Sequence, residues 1–208
     1  MSHLLAYEQA LYEQGLTQIV GVDEVGRGPM AGPLVVAAVM LPQNTITPGL
    51  NDSKKLTKKK REQLYSWIKE NALEIQVVFI DVEEVDRLNV YQASKHAMEQ
   101  AIGKFKTKID YVLSDAMPLE INFPYLSIIK GDSKSASIAC ASIVAKVLRD
   151  QYMEELDVLY PDYGFKKHKG YVTKKHKEAI FSYGVLDVHR KSFAPVQEAI
   201  IAYNKVKE

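Results

Sequence analysis

The sequence predicts an α/β chain: a mixed β-sheet flanked by helices, followed by a helical C-terminal region. Three observations carry that expectation. Two β-rich runs, 18–23 and 34–41, are joined only through the Gly/Pro-rich stretch 26–33, so they should pair as a broad hairpin. Later β-like runs alternate with segments of helical periodicity, as crossover connections require. Beyond Tyr160 the β signals cease and helical ones continue.

The elements follow in order. Leu4, Leu5, Tyr7, Leu11 and Tyr12 recur near helical spacing, and Gly15 stands where a helix C-cap belongs. After the hairpin, Thr57 is the expected N-cap of a helix running through Trp67 and Ile68 to about Asn71. Residues 74–80 form the third strand, and 90–105 a helix with Ala93, Ala97, Ala101 and Phe105 along one side. The intervening stretch 81–86 holds four acids and reads as a solvated connector, because the residue spacing of a calcium loop is absent. Strands at 111–114 and 126–130 precede a long helix over 135–160. Thr173 caps a further helix to about Tyr183, and Pro195 opens the last. No repeat, low-complexity tract or long linker interrupts this order. A single domain over 1–208 is expected, with its sheet core at about 16–160 and its helical region at about 161–208.

Composition narrows the class of function. A chain of 208 residues, 47% hydrophobic, can bury one good core. Its net charge of +1 excludes a uniformly basic nucleic-acid coat, yet six Lys/Arg fall within 54–61, and six Lys with two His within 166–177. Such local positive faces can draw a polyanion. His168 and His176 lie in the second of these blocks without an acidic partner and read as surface or phosphate-facing groups. The lone Cys140 excludes an intramolecular disulfide and a Cys-based zinc site, and fits a reducing, cytoplasmic setting. The longest apolar run, 34–41, has eight residues, whereas a bilayer needs about 20. Glu8 and Glu13 interrupt the N-terminus where a signal peptide needs an apolar core. A soluble, unexported protein without a membrane partner is expected.

The chemistry lies at the strand ends. The run Ile19-Val20-Gly21-Val22 ends on Asp23-Glu24 and then turns through Gly26-Arg27-Gly28; Asp115 closes a second run and Asp132 follows a third. In open α/β sheets ligands gather beyond the carboxyl ends of parallel strands. A single Asp there ordinarily begins a turn or caps a helix. Several ionised carboxylates together repel one another unless a cation neutralises them, and an all-oxygen donor set selects Mg²⁺ or Mn²⁺ over zinc. Because neighbours on a regular strand face opposite ways, Glu24 should join Asp23 only if the strand bends there. Asp150, beside Arg149 in an amphipathic helix, reads instead as an ion-pair or surface acid. The Gly-Arg-Gly turn suggests an anionic ligand. Dinucleotide and nucleotide phosphate-loop fingerprints are both incomplete.

Taken together, the motifs resemble those of type 2 ribonuclease H, the bacterial ribonuclease HII family. The likeness rests on Asp23-Glu24-Val25-Gly26-Arg27-Gly28-Pro29, Asp52-Ser53-Lys54-Lys55-Leu56, Leu113-Ser114-Asp115-Ala116-Met117, Lys130-Gly131-Asp132-Ser133-Lys134-Ser135, Ala141-Ser142-Ile143-Val144-Ala145-Lys146-Val147 with Arg149-Asp150, and His168-Lys169-Gly170-Tyr171. Many relatives carry Gly where this chain has Ala116.

The resemblance implies a ribonuclease H-like fold and an endonuclease that hydrolyses RNA in RNA-DNA hybrids. It also implies nicking of duplex DNA 5′ of an embedded ribonucleotide, leaving 3′-hydroxyl and 5′-phosphate ends. It makes Asp23, Glu24, Asp115 and Asp132 the catalytic, metal-holding acids for two divalent ions. It assigns Gly26, Arg27 and Gly28 to the ribonucleotide's 2′-hydroxyl and phosphate, Tyr171 to the junction sugar, and Ser53, Lys54 and Lys55 to phosphate. The implied partners are RNA-DNA hybrids and ribonucleotide-containing DNA; a monomer is the default, with any recruiting protein unknown. Two readings compete: another nuclease, resolvase or transposase on the same acidic sheet, which has no need of the Gly-Arg-Gly sensor, and a noncatalytic hybrid-binding module, which has no need of the acids.

Overall fold

The computed structural model describes residues 3–45, 47, 49–50 and 56–205. Ser53, Lys54 and Lys55 lie outside the described residues. Helix α1 (Ala6–Tyr12) ends as its sequence requires: Gly15 takes a left-handed φ of 81°, and the Leu16 amide closes back onto the Leu11 carbonyl at 3.1 Å. Strands β1 (Ile19–Val25) and β2 (Leu34–Met40) pair antiparallel, from Val20↔Met40 to Val25↔Val35. Helix α2 (Lys58–Asn71) begins where expected, the Thr57 hydroxyl accepting the Lys60 amide. Strand β3 (Glu74–Ile80) follows.

The acidic stretch after β3 is not a connector. It forms α3 (Val82–Leu88), with the Asp81 carboxylate accepting the Glu84 amide at 2.8 Å. The sequence carries an Asp-x-x-Glu capping pattern, Asp81 to Glu84, that starts this helix. Helix α4 (Val90–Gly103), strands β4 (Tyr111–Asp115) and β5 (Tyr125–Ile128), and the long α5 (Ala136–Leu159) lie close to their expected bounds. After α5 come a short α6 (Phe165–His168), then α7 (Lys174–Tyr183), capped by Thr173, and α8 (Ala194–Lys205).

The sheet order is β3-β2-β1-β4-β5. The pairs β1–β4 and β4–β5 are parallel, so the sheet is mixed, as its hairpin and crossovers predict. Parallel pairing sends the carboxyl ends of β1, β4 and β5 to one edge. Asp115 therefore closes β4 on the side where β1 ends, with Asp23 two residues before the end of β1.

The chain divides into two compact units, Met1–Val25 with Val35–Phe79 and Ser94–Val147, and Gly26–Leu34 with Ile80–Ala93 and Leu148–Glu208. The first is built around Leu11, Ile19, Leu113, Ile128 and Ile138. Here Gly21 permits a close approach, since a Cβ on it would stand 2.1 Å from the Ser137 carbonyl carbon at the start of α5. Glu8, buried, completes that helix start: its Oε1 accepts the Ser135 and Ser137 hydroxyls at 2.6 and 2.7 Å and the Ser137 amide at 3.0 Å. A carboxylate at a helix N-terminus is favoured by the backbone dipole. The second unit packs Met30, Ala31, Met153, Phe165, Ile180 and Val196 together. Among the described residues no helix is long and apolar enough to cross a membrane.

Candidate functional site

Asp23 sits in β1 one residue past its last parallel pairing with β4, and is only 4% exposed. Its carboxylate accepts the Glu24 amide at 2.7 Å and a hydrogen bond from the Ser142 hydroxyl on α5. These bonds do not offset its surroundings. Burial, then the charges of Glu24 and Asp115, hold the Asp23 carboxyl well above the usual carboxylate range. The site thus places a carboxyl where its anion is poorly supported by protein groups alone.

Asp115 ends β4, and its Oδ1 accepts the Gly131 amide at 2.6 Å. This bond ties the third acid to the turn that carries the fourth. Gly131 opens the short 3-10 turn Gly131–Ser133, in which Asp132 is buried. A side chain at Gly131 would press on both neighbours, its Cβ 2.6 Å from Ile138 Cδ1 and 3.3 Å from Asp115 Oδ1, so that Ile138 and the Asp115 carboxylate would have to shift.

The expected bend between Asp23 and Glu24 is not present in the pairing. The β1–β2 ladder continues without interruption to Val25↔Val35, and the left-handed residue is Gly26, with φ 110°. Glu24 reaches Asp23 electrostatically without a bulge, since the two are adjacent in a low-dielectric setting. Among the described residues no three His, Cys, Asp or Glu side chains are gathered closely enough to hold a metal ion. The structure brings Asp23, Glu24 and Asp115 within one another's field and links Asp115 to the Asp132 turn; it does not draw the four side chains into a finished cage. The oxygen-only donors and the pressure on Asp23 fit a hard divalent ion.

Ala116, immediately after Asp115, adopts a left-handed φ of 48°. That conformation costs a non-glycine residue about 1–2 kcal/mol, and glycine gives back part of the gain through its freer unfolded chain. Ala116→Gly is therefore expected to stabilise the protein by roughly 0.5–1 kcal/mol, read as a rightward shift of the urea midpoint. An unchanged or lowered midpoint would contradict it.

In the second unit, Gly26, Arg27 and Gly28 begin the loop that runs to Leu34, with Arg27 and Gly28 exposed. The Tyr171 ring, 46% exposed, lies against this loop, its Cε1 3.4 Å from where a Gly28 Cβ would stand. The loop and Tyr171 thus form one local surface.

Several residues fall outside their sequence reading. His176 is fully buried, not a surface group, and meets His189 Nε2 to Nε2 at 3.1 Å. Asp150 is buried as well, and its neighbour Arg149 is fully enclosed together with Arg190. A signal for Arg149 was present: Ser142, Ala145, Arg149 and Met153 form one buried helical stripe. An arginine in such a stripe must have interior acceptors.

The sequence matches the family model for ribonuclease HII over residues 20–196. Ribonuclease HII of Bacillus cereus (strain AH820) is 55% identical over 194 residues, covering 93% of this chain and 76% of the relative. The crystal structure of ribonuclease H2 from Pyrococcus horikoshii OT3 superposes with a TM-score of 0.79 at 25% identity, covering 90% of this chain and 99% of that one. The structure of a PCNA:RNase HII complex from Archaeoglobus fulgidus gives a TM-score of 0.70 at 26% identity, covering 83% and 92%. With the mixed sheet and its acid-bearing edge in place, these likenesses agree along most of the chain, which belongs to the ribonuclease HII family and is a ribonuclease H hydrolase.

Proposed function

We propose that the chain is a divalent-metal-dependent endonuclease that hydrolyses RNA in RNA-DNA hybrids and nicks duplex DNA 5′ of an embedded ribonucleotide, leaving 3′-hydroxyl and 5′-phosphate ends. Its role is the removal of misincorporated ribonucleotides in the cytoplasm, where it acts as a monomer. The observation that carries this reading is Asp23: a buried carboxyl pressed toward protonation by burial, Glu24 and Asp115. Such a group is relieved by a cation.

Asp23, Glu24, Asp115 and Asp132 would hold two divalent ions, Mg²⁺ or Mn²⁺. When bound, such ions supply Lewis acidity that activates water and stabilises charge on the leaving oxygen. Asp23 would be the ligand common to both, with the Ser142 hydroxyl orienting its carboxylate. The Gly131 amide does the same for Asp115. The metal chemistry requires no histidine nucleophile or general base, and His176 and His189 are fully buried.

Selectivity comes from the 2′-hydroxyl, the group that separates ribose from deoxyribose. Gly26, Arg27 and Gly28 contact the ribonucleotide's sugar and phosphate, and Tyr171 the junction sugar. Ser53, Lys54 and Lys55 contact phosphate. Binding weakens as salt rises, because neutralised phosphates release counterions.

The test is incubation of the purified protein, with and without divalent metal, with three duplexes: all DNA, DNA carrying one ribonucleotide, and an RNA-DNA hybrid. Cleavage of the last two, only with metal, is expected. Equal cleavage of the all-DNA control would remove the 2′-hydroxyl sensor.

A further inference from the structure

Two fully buried arginines are wrapped by the loop that opens with Gly26-Arg27-Gly28. Arg149 donates from Nε to the Pro33 carbonyl at 2.9 Å, from Nη1 to Lys169 at 2.9 Å and from Nη2 to Ala31 at 3.1 Å. Arg190 donates from Nη2 to the Gly26 carbonyl at 2.6 Å, from Nη1 to Arg27 at 3.1 Å, and from Nε and Nη2 to Gly32 at 3.2 and 3.0 Å. Buried guanidinium groups are costly unless hydrogen-bonded, and here main-chain oxygens satisfy them. The arrangement is crowded: a Cβ at Gly26 would lie 2.4 Å from Arg149 Nε. The main chain of the same segment holds it further, with the Arg190 amide on the Met30 carbonyl at 2.9 Å and the Gly32 amide on Val188 at 2.8 Å.

The direction of these bonds matters. In a planar trans peptide the carbonyl and the next residue's N–H point opposite ways. When Arg190 takes the carbonyls of Gly26 and Arg27, it turns the amides of Arg27 and Gly28 away from its guanidinium, side by side. Consecutive amides presented in this manner suit an anionic or hydroxyl oxygen.

We propose that Arg190, supported by Arg149, is a positioning residue for ribonucleotide recognition: it grips the Gly26 and Arg27 carbonyls and thereby aims the Arg27 and Gly28 amides at the sugar and phosphate. This rests on the reading that Gly26 to Gly28 contact the ribonucleotide. Lysine cannot replace it, because a single ammonium lacks the planar fork that spans several carbonyls at once.

The test compares initial cleavage rates on two duplexes, one with a single ribonucleotide and one with a 2′-deoxy-2′-fluoro nucleotide at that position. The rate ratio does not depend on what fraction of a preparation is active, so a partly unfolded variant still reports. Wild type should favour the ribonucleotide strongly. Arg190→Lys and Arg190→Gln should compress that ratio by about tenfold or more, since a hydrogen-bonding site loses its discrimination when its donors are misplaced. Gly28→Ala, whose Cβ meets only the Tyr171 ring edge, should compress it too by intruding on the sugar.

If Gly28→Ala compresses the ratio while the Arg190 variants keep it, the positioning role is overturned and the loop's role stands. If wild type shows no preference, or Gly28→Ala leaves it unchanged, the reading of the loop itself fails and takes the proposal with it. Failure of both Arg190 variants to fold would assign Arg190 to the fold alone and likewise overturn the proposal.

Discussion

Asp115→Asn is expected to lower cleavage of a single-ribonucleotide duplex by roughly a thousandfold or more, because an ion's stabilisation of the transition state amounts to several kcal/mol and each tenfold is about 1.4 kcal/mol. Duplex affinity should change by no more than a few fold, since phosphate contacts made elsewhere dominate it. The asparagine keeps an Oδ1 that accepts the Gly131 amide, so the 2.6 Å link to the Asp132 turn survives. It also removes one of the two charges that push the Asp23 carboxyl up. The metal-free variant should therefore melt above the metal-free wild type, while gaining less from added Mg²⁺ or Mn²⁺. Loss of function with gain of stability is the signature of a site that carries repulsion for its chemistry. Single-turnover cleavage, fluorescence anisotropy with labelled duplex and thermal melts with and without metal separate the outcomes. Retained cleavage would exclude Asp115 as a ligand, and the noncatalytic hybrid-binding reading would then gain ground. A variant that melts lower would show that the Asp115 charge supports the fold.

Much of the fold was legible because local signals and tertiary demands agree. Thr57 and Thr173 cap the helices they precede, Gly15 ends the first, and the apolar run 34–41 becomes the wholly buried β2. Strand periodicity placed Asp115 at the end of β4, whereas β1 runs two residues past Asp23 and Asp132 lies in the turn beyond β5, because strand length is set by pairing with neighbours. What remained hidden depends on contacts between residues far apart in sequence. Glu8 serves the start of α5 more than 120 residues away, and nothing near Glu8 signals it. Arg190 carries no local signal of its burial, because its partners are main-chain carbonyls, which every residue has, whereas Arg149 at least lies in a buried helical stripe. His176 lies among lysines in sequence, yet helical geometry turns it inward while Lys174 and Lys175 stay exposed.

The second unit should be acid-labile through its histidines. His176 Nδ1 lies 2.9 Å from the Tyr171 carbonyl and must donate to it, which leaves Nε2 as an acceptor. His189 Nε2 therefore donates across the 3.1 Å to His176, and His189 Nδ1 accepts the Leu186 amide at 3.0 Å. Each ring is neutral and fully employed. His168 stacks on His176 with ring centroids 4.2 Å apart, and Phe165 and Tyr163 close the remaining faces. Burial first, and neighbouring imidazoles after it, pull His176 down to about 3 and His189 to about 4. The unfolded chain takes up these protons near the ordinary histidine value of about 6.5. Their contribution to stability is thus complete above that pH and is lost as pH falls toward 4 and then 3, at about 1.4 kcal/mol per pH unit for each group. Asp23 acts in the opposite sense, since its raised carboxyl makes protonation in the fold favourable as pH drops. The two effects belong to different units and can be followed apart: Trp67, the lone tryptophan, lies in α2 of the first unit, whereas histidine Hε1 resonances report the second. Between pH 6.5 and 4.5 the Hε1 shifts of His176 and His189 should stay at neutral values until the second unit opens, and that opening should precede the Trp67 fluorescence change. Titration of either imidazole near pH 6.5 in the folded protein would show that the neutral relay to Tyr171 is not maintained.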